Sequence, residues 1–216
     1  MSEEYIPDTV TSQQAEGIFQ REIAVALEHL RRGGVVAIPT DTLYGLAADV
    51  FNDAALERIY TIKGRPSDRA IPVLVANWDQ VERVTRDIPP AARQLAERFW
   101  PGQLTLVMRK AAWMTDLITG GRDSVAVRMP DHPVPLALAT ELSRPITGTS
   151  ANLSGAPNLL SLDAVVAELG NKVDYIVRCG PAPQGIGSTI IDLTTCAPRL
   201  LRHGAVPFQQ VLQTVR

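Results

Sequence analysis

Short apolar runs alternate with helical patterns along most of this 216-residue sequence. Residues 35–38 are apolar and mostly β-branched, which is typical of a strand buried on both faces. Residues 12–30 carry apolar side chains at helical spacing, with Ile18, Ile23 and Leu30 predicted to point inward, and the glycines at 33–34 end that helix. Because helices and buried strands take turns in this way, the sequence predicts an α/β fold in which helices cover a sheet.

The last quarter of the chain departs from strict alternation. Predicted strands at residues 175–177, 189–192 and 200–201 follow one another with little helix between them. We therefore expect a mixed parallel/antiparallel sheet rather than a purely parallel one. The absence of any repeat or linker predicts a single domain over residues 12–216, behind a flexible polar arm at residues 1–11.

Composition argues against several classes of protein. The formal net charge is -2, whereas proteins that wrap nucleic acid carry a basic excess, so tight duplex binding is not expected. Neither a signal peptide nor a run of about 18 apolar residues is present, which predicts a cytoplasmic protein without membrane contact. Cys179 and Cys196 stand far from any histidine pair, so we expect free thiols and no metal site built from protein ligands.

A compact cationic segment follows the predicted helix at residues 53–63. It places Lys63, Arg65 and Arg69 within seven residues, together with Ser67. A lysine in the last helical turn is an ordinary helix end, but the two arginines lie beyond the helix. Lysine as a point charge and arginine as a bidentate fork suit a polyphosphate, so the segment is a candidate phosphate site.

Three further polar segments stand at predicted strand ends. Thr40 follows the strand at 35–38, Arg128 ends another, and Ser150 and Asn152 lie two apart, on one side of an extended segment. Each also fits a simpler interpretation: a turn that bonds its own backbone for the first and third, and a surface salt bridge for Arg128. Neither a P-loop nor a G-x-G-x-x-G sequence occurs. Composition and spacing alone thus predict an α/β domain with a polar cleft suited to an anionic ligand.

Seven segments occur in a fixed order between about residues 33 and 206: P-T-D-T-L-Y-G-L, K-G-R-P, F-W-P-G-x-L-T-L, V-R-M-P, S-A-N-x-S-G, S-T-I-I-D and R-x-G. This ordered set resembles the threonylcarbamoyl-adenylate synthase family, in its short single-domain form. The pairs Lys63/Arg65 and Ser150/Asn152 match the signature of that family. The resemblance implies a YrdC-like fold, with a twisted mixed sheet and a large concave cavity.

The resemblance also implies a reaction. L-threonine, bicarbonate and ATP, with Mg²⁺ accompanying ATP, would give threonylcarbamoyl-AMP and pyrophosphate for the t6A modification of tRNA. A transient contact with the tRNA threonylcarbamoyl-transferase complex would follow. Lys63 and Arg65 would be catalytic, by neutralising charge on the phosphates. The matching ATP positions are Lys63, Arg65, Ser67, Ser124, Asn152 and Arg202. The matching threonine positions are Thr40, Arg128, Ser150 and Ser188.

Two positions depart from the family pattern, and three other functions remain open. Leu74 stands where many members have histidine, and Leu160 where many have serine or threonine. One alternative is an RNA-binding module of the same fold without adenylation activity, which would need a basic concave face. A second is the carbamoyl-transfer domain of hydrogenase-maturation proteins, and a third is a paralogue that uses another amino acid.

Overall fold

The computed structural model describes residues 11–215. Apart from Thr11, the predicted N-terminal arm lies outside these residues. The strands are β1 (Val36–Ile38), β2 (Gly45–Ala47), β3 (Val73–Leu74), β4 (Leu104–Arg109), β5 (Ser124–Arg128), β6 (Ile146–Thr147), β7 (Thr149–Ser150), β8 (Tyr175–Ile176), β9 (Thr189–Asp192) and β10 (Arg199–Arg202). The helices are α1 (Ser12–Arg31), α2 (Asp53–Lys63), α3 (Trp78–Val84), α4 (Pro90–Phe99), α5 (Asp116–Thr119), α6 (Pro133–Glu141), α7 (Leu162–Leu169) and α8 (Phe208–Thr214).

The strands form two sheets, in the orders β7-β2-β1-β8 and β10-β9-β4-β5-β3-β6. The pairs β1–β8, β3–β5 and β4–β9 are parallel, and the other neighbours are antiparallel. The predicted mixed pairing is therefore confirmed. Only Gly148 separates β6 from β7, so the chain passes from the larger sheet to the smaller within one residue. A Cβ atom at Gly148 would collide with the buried side chain of Leu74, so glycine is required at this crossing.

Helix ends form where the sequence provides caps. The Asn77 side chain accepts a hydrogen bond from the backbone N–H of Gln80 at 3.0 Å, as its position before α3 predicts. Gly64 ends α2 in the left-handed conformation, with a φ of 58°. In α1, Ile23 and Leu30 are buried as predicted, but the prediction for Ile18 is wrong. Its side chain is 49% exposed because the first turns of α1 lie outside the core.

The core has two parts that meet at the strands. The larger cluster packs α2 against both sheets and contains Leu56, Ile59 and Leu106. The smaller cluster packs α1 and α6 against β1 and β6. Within the described part of the chain, no helix has the length and apolarity that crossing a membrane requires. The layered arrangement leaves polar residues of both sheets free to line a common cavity.

Candidate active site

A cavity of about 470 Å³ is lined by residues of both sheets. This volume is in the range of small-molecule sites. Six of the ten predicted site residues contribute to its wall: Thr40, Arg65, Arg128, Ser150, Ser188 and Arg202. Three of the six are arginines, and no carboxylate of residues 11–215 lines the same space. The cavity therefore favours an anionic ligand.

The turn between β1 and β2 presents Thr40 to the cavity. Its Oγ1 donates to the backbone oxygen of Leu43 at 2.7 Å and accepts from the N–H groups of Thr42 and Leu43, each at 3.2 Å. The prediction that this threonine bonds its own backbone is confirmed. The same turn lets the chain reverse and pair β2 with β1, which places the threonine in the cavity wall.

Arg128, the last residue of β5, forms a buried ion pair. Its Nη1 donates to Asp41 Oδ1 at 2.7 Å, and its Nη2 donates to Thr42 Oγ1 at 3.1 Å. The two charged side chains are only 6% and 5% exposed, so the alternative of a surface salt bridge is wrong. Burial lowers the pKa of Arg128, and the charge of Asp41 opposes this shift.

Arg65 reaches the cavity from the loop that follows α2. Its Nε and Nη2 are buried, and neither has a hydrogen-bond partner among residues 11–215. The guanidinium lies 5.2 Å from the centroid of the Tyr60 ring, and burial lowers the pKa of Arg65. Because a buried donor without an acceptor costs free energy, an anionic acceptor that reached these N–H groups would relieve that cost.

Lys63 lies behind the cavity wall. It is only 3% exposed, and its Nζ donates to the backbone oxygens of Ser150 and Asn152, the latter at 2.8 Å. Its own backbone oxygen accepts from the N–H of Ser154 at 2.9 Å. Burial, and then the charge of Arg65, lower the pKa of Lys63 to about 8.

The side chains of the S-A-N segment, residues 150–152, form hydrogen bonds within the segment and to the loop that follows it. Ser150 Oγ donates to Asn152 Oδ1 at 2.6 Å, and Asn152 Nδ2 donates to the backbone oxygen of Ala156 at 2.6 Å. The two side chains were predicted to face the same side, and they do contact each other, but only Ser150 lines the cavity. The two signature motifs are thus one hydrogen-bonded unit, joined by Lys63.

Arg202, at the end of β10, holds Ser188 in place. Its Nε and Nη2 donate to the backbone oxygen of Ser188 at 3.0 and 2.8 Å, and Nη2 also lies 3.0 Å from Ser188 Oγ. The same hydroxyl shares a hydrogen bond of 2.7 Å with Thr105 Oγ1. A residue predicted for ATP therefore contacts one predicted for threonine.

Besides Lys63 and Asn152, two more predicted residues do not line the cavity. Ser67 is exposed in the loop after α2. Ser124 begins β5 and pairs with Arg109, four residues and so about 13 Å along the strand from Arg128. Among the departures, Leu74 is buried in the smaller core cluster and Leu160 is 52% exposed.

Several cavity residues were not predicted: Thr42, Tyr44, Thr105, Thr149, Asn158 and His203. Thr42, Tyr44 and Thr105 lie inside two of the recognised segments, so the segments pointed to them without assigning roles. Asn158 stands in a loop with no distinguishing pattern, and His203 occupies the variable position of R-x-G. Only the folded chain brings these two to the cavity.

Comparison with known proteins decides the family. The model of the Sua5_yciO_yrdC family, described as telomere recombination, matches residues 28–204. The chain belongs to this family. The match includes all six predicted residues that line the cavity.

Curated relatives and a solved structure agree with this assignment. The chain is 40% identical over 207 residues to the threonylcarbamoyl-AMP synthase of Pyrococcus abyssi, and 42% identical over 191 residues to that of Bacillus subtilis. These matches cover 96% and 88% of this chain, but only 61% and 55% of the relatives. A crystal structure of P. abyssi Sua5 complexed with L-threonine superposes with a TM-score of 0.86 at 41% identity, covering 89% of this chain and 57% of that one.

Proposed function

We propose that this protein is a threonylcarbamoyl-AMP synthase, which converts L-threonine, bicarbonate and ATP into threonylcarbamoyl-AMP and pyrophosphate. The observation that carries the proposal is the cavity itself, where residues predicted for both ligands come together from six separate segments. The curated relatives bear the name of this enzyme, and the Pyrococcus structure contains L-threonine. A function in tRNA t6A modification follows from the product.

The two substrates would occupy different parts of the cavity. Threonine would be held by Thr40, Arg128, Ser150 and Ser188. The phosphates would face Arg65 and Arg202. The wall of the cavity would be shaped by Lys63 and Asn152, which are hydrogen-bonded to each other. Ser67 and Ser124 do not line the cavity, so they could contact ATP only if the protein changed conformation when ATP binds. Arg128 would bind the threonine carboxylate through the N–H groups that Asp41 and Thr42 leave free.

The chemistry requires positioning and charge neutralisation rather than a nucleophile on the protein. The threonine nitrogen takes up CO₂ derived from bicarbonate and becomes a carbamate. A carbamate oxygen attacks the α-phosphorus of ATP. The bond between the α-phosphorus and the oxygen that bridges it to the β-phosphorus breaks, and pyrophosphate leaves with that oxygen. Arg65 would stabilise negative charge on the phosphates through its N–H groups. Lys63 would hold the S-A-N segment in a fixed position relative to Arg65.

Mg²⁺ would enter with ATP. No group of three or more His, Cys, Asp or Glu side chains within residues 11–215 is placed to hold a metal ion. The phosphate oxygens of ATP are the hard ligands that Mg²⁺ prefers, so the ion belongs to the substrate complex. It would share with Arg65 the task of neutralising the triphosphate.

The RNA-binding alternative is not favoured. The relatives that match over most of this chain are named as synthases, and three arginines in a cavity of small-molecule size suit a small anion better than a nucleic-acid strand. The product must reach tRNA. We therefore also propose that the protein is cytoplasmic and that it contacts a tRNA threonylcarbamoyl-transferase complex transiently.

Pyrophosphate release tests the proposed function directly. The purified chain should release pyrophosphate from ATP only when L-threonine and bicarbonate are both present, and each is omitted in turn as a control. Release of orthophosphate, or release that does not depend on threonine, would contradict the proposal. Replacing threonine with serine or valine in the same assay tests the paralogue alternative.

A further inference from the structure

Asp41 has no part in the proposed function, although its carboxylate is strongly constrained. The residue is 7% exposed, and one oxygen, Oδ1, accepts from Arg128 Nη1 at 2.7 Å. The other oxygen, Oδ2, is buried, and nothing in the described part of the chain donates to it. Because a buried carboxylate oxygen without a donor is costly, the contact with Arg128 satisfies only part of what this carboxylate requires.

The neighbouring residues extend this contact into a network. Thr42 Oγ1 accepts from Arg128 Nη2 at 3.1 Å and shares a hydrogen bond of 3.0 Å with Thr40 Oγ1. Two consecutive residues of one turn, Asp41 and Thr42, therefore fix a guanidinium that is more than 80 positions away in the sequence, and Thr40 joins the network through Thr42. Thr40 and Arg128, the two proposed threonine contacts at this end of the cavity, are held relative to each other by Asp41 and Thr42.

The network determines which way the guanidinium faces. An arginine has five N–H groups in one rigid plane. The hydrogen bonds from Nη1 to Asp41 and from Nη2 to Thr42 fix the orientation of that plane in Arg128. The remaining N–H groups then point in set directions before any ligand arrives, which removes an ordering cost from binding. Asp41 also compensates the buried charge of Arg128, which would otherwise be unpaired.

We propose that Asp41 is a positioning residue for the amino-acid substrate, which acts through Arg128 by holding the guanidinium ready for the substrate carboxylate. This inference rests on the proposed function. Asp41 does not line the main cavity, so its effect on the substrate passes through Arg128 and Thr42. Loss of Asp41 should therefore impair the amino acid selectively and leave the nucleotide largely unaffected.

Asp41→Asn tests the inference, because the substitution keeps the shape and removes the charge. The KM for threonine should rise about tenfold or more, while the KM for ATP changes by less than about threefold, since only the carboxylate contact depends on this ion pair. Asp49→Asn is the matched control. Asp49 is also a buried carboxylate bonded to an arginine, Arg144, at 2.8 Å, but neither residue lines the cavity.

A purely structural role would give a different pattern. Both variants would then lower the melting temperature, and neither would change the ratio of the two KM values. Equal increases in both KM values for Asp41→Asn, or an unchanged KM for threonine, would overturn the inference. If Asp41→Asn does not fold, Thr42→Val removes the second hold on Arg128 and should raise the KM for threonine, and Thr42→Ser should restore it.

The assay on the parent protein distinguishes failure of the proposed function from failure of the inference about Asp41. If the parent releases pyrophosphate without needing threonine, the proposed function is wrong and this inference is overturned with it. If the parent needs threonine and the KM for threonine is unchanged in a folded Asp41→Asn, or in Thr42→Val where Asp41→Asn does not fold, only the inference is overturned.

Discussion

Lys63 Nζ lies 2.8 Å from the backbone oxygen of Asn152, although 89 positions separate the two residues in the sequence. The same ammonium donates to the backbone oxygen of Ser150, and the backbone oxygen of Lys63 accepts from Ser154. The lysine thus connects the end of α2 to the segment after β7. It orders the cavity wall before any ligand is bound.

Replacing this lysine should disturb the protein even in the absence of ligand. Lys63→Met leaves two backbone oxygens without their donor, and each such loss costs on the order of 1–3 kcal/mol, partly offset because no charge remains buried. We expect a net decrease of about 1–2 kcal/mol in the free energy of unfolding, measured by urea denaturation. Lys172→Met, at an exposed lysine, is the control and should change it by less than about 0.5 kcal/mol.

The lowered pKa of Lys63 also predicts a pH dependence. The group titrates near 8 in the folded chain, against 10.5 for a free lysine. Between these values the unfolded chain binds the proton that the folded chain has released, so stability should rise with pH across this window and stay flat below it.

The difference in unfolding free energy between the parent and Lys63→Met isolates this effect. At pH 10 the parent should have gained up to roughly 3 kcal/mol relative to pH 7, beyond any gain in the variant. The measurement is a series of urea titrations from pH 7 to 10 without ligand. Parallel curves for the two proteins would show that the lysine titrates normally.

Local sequence patterns predicted much of the fold. Helix ends at Asn77 and Gly64 follow from capping chemistry, which acts over a few residues. The patterns did not reveal β2 or β7, because these strands have three and two residues and their pairing depends on distant partners. Periodicity also could not divide the strands between two sheets, since the division depends on the crossing at Gly148.

In the candidate site, too, single residues could be predicted from the sequence, but contacts between distant segments could not. The resemblance to the family identified residues that line the cavity, such as Arg65, Arg128 and Ser188. It did not indicate that Arg128 is paired with Asp41, because this contact joins two segments 87 positions apart. Nor did it indicate that Lys63 faces backbone oxygens rather than the open cavity, which only the burial of the folded chain determines.

Arg65→Lys tests whether the guanidinium in the cavity wall serves the nucleotide. Lysine keeps the charge but not the planar fork, so kcat/KM for ATP should fall at least tenfold, or about 1.4 kcal/mol in transition-state stabilisation. Arg69→Lys is the matched control, because Arg69 lies exposed in the same loop and does not line the cavity. A kcat/KM for Arg65→Lys within about twofold of the parent would assign Arg65 to the helix end alone.

Arg128→Lys tests how the cavity is divided between the two substrates. The substitution keeps a positive charge beside Asp41 but loses the second arm that reaches Thr42, so the rigid fork for the threonine carboxylate is lost. Threonine should bind about tenfold or more weakly in calorimetric titrations, since a charge-assisted contact is worth roughly 1.5–3 kcal/mol. ATP titrated without threonine should bind within about twofold of the parent, because no phosphate contact is assigned to this arginine. Arg144→Lys, at the partly exposed ion pair with Asp49 outside the cavity, should leave both affinities unchanged. Weaker ATP binding with unchanged threonine binding would place the nucleotide, rather than the amino acid, at the end of β5.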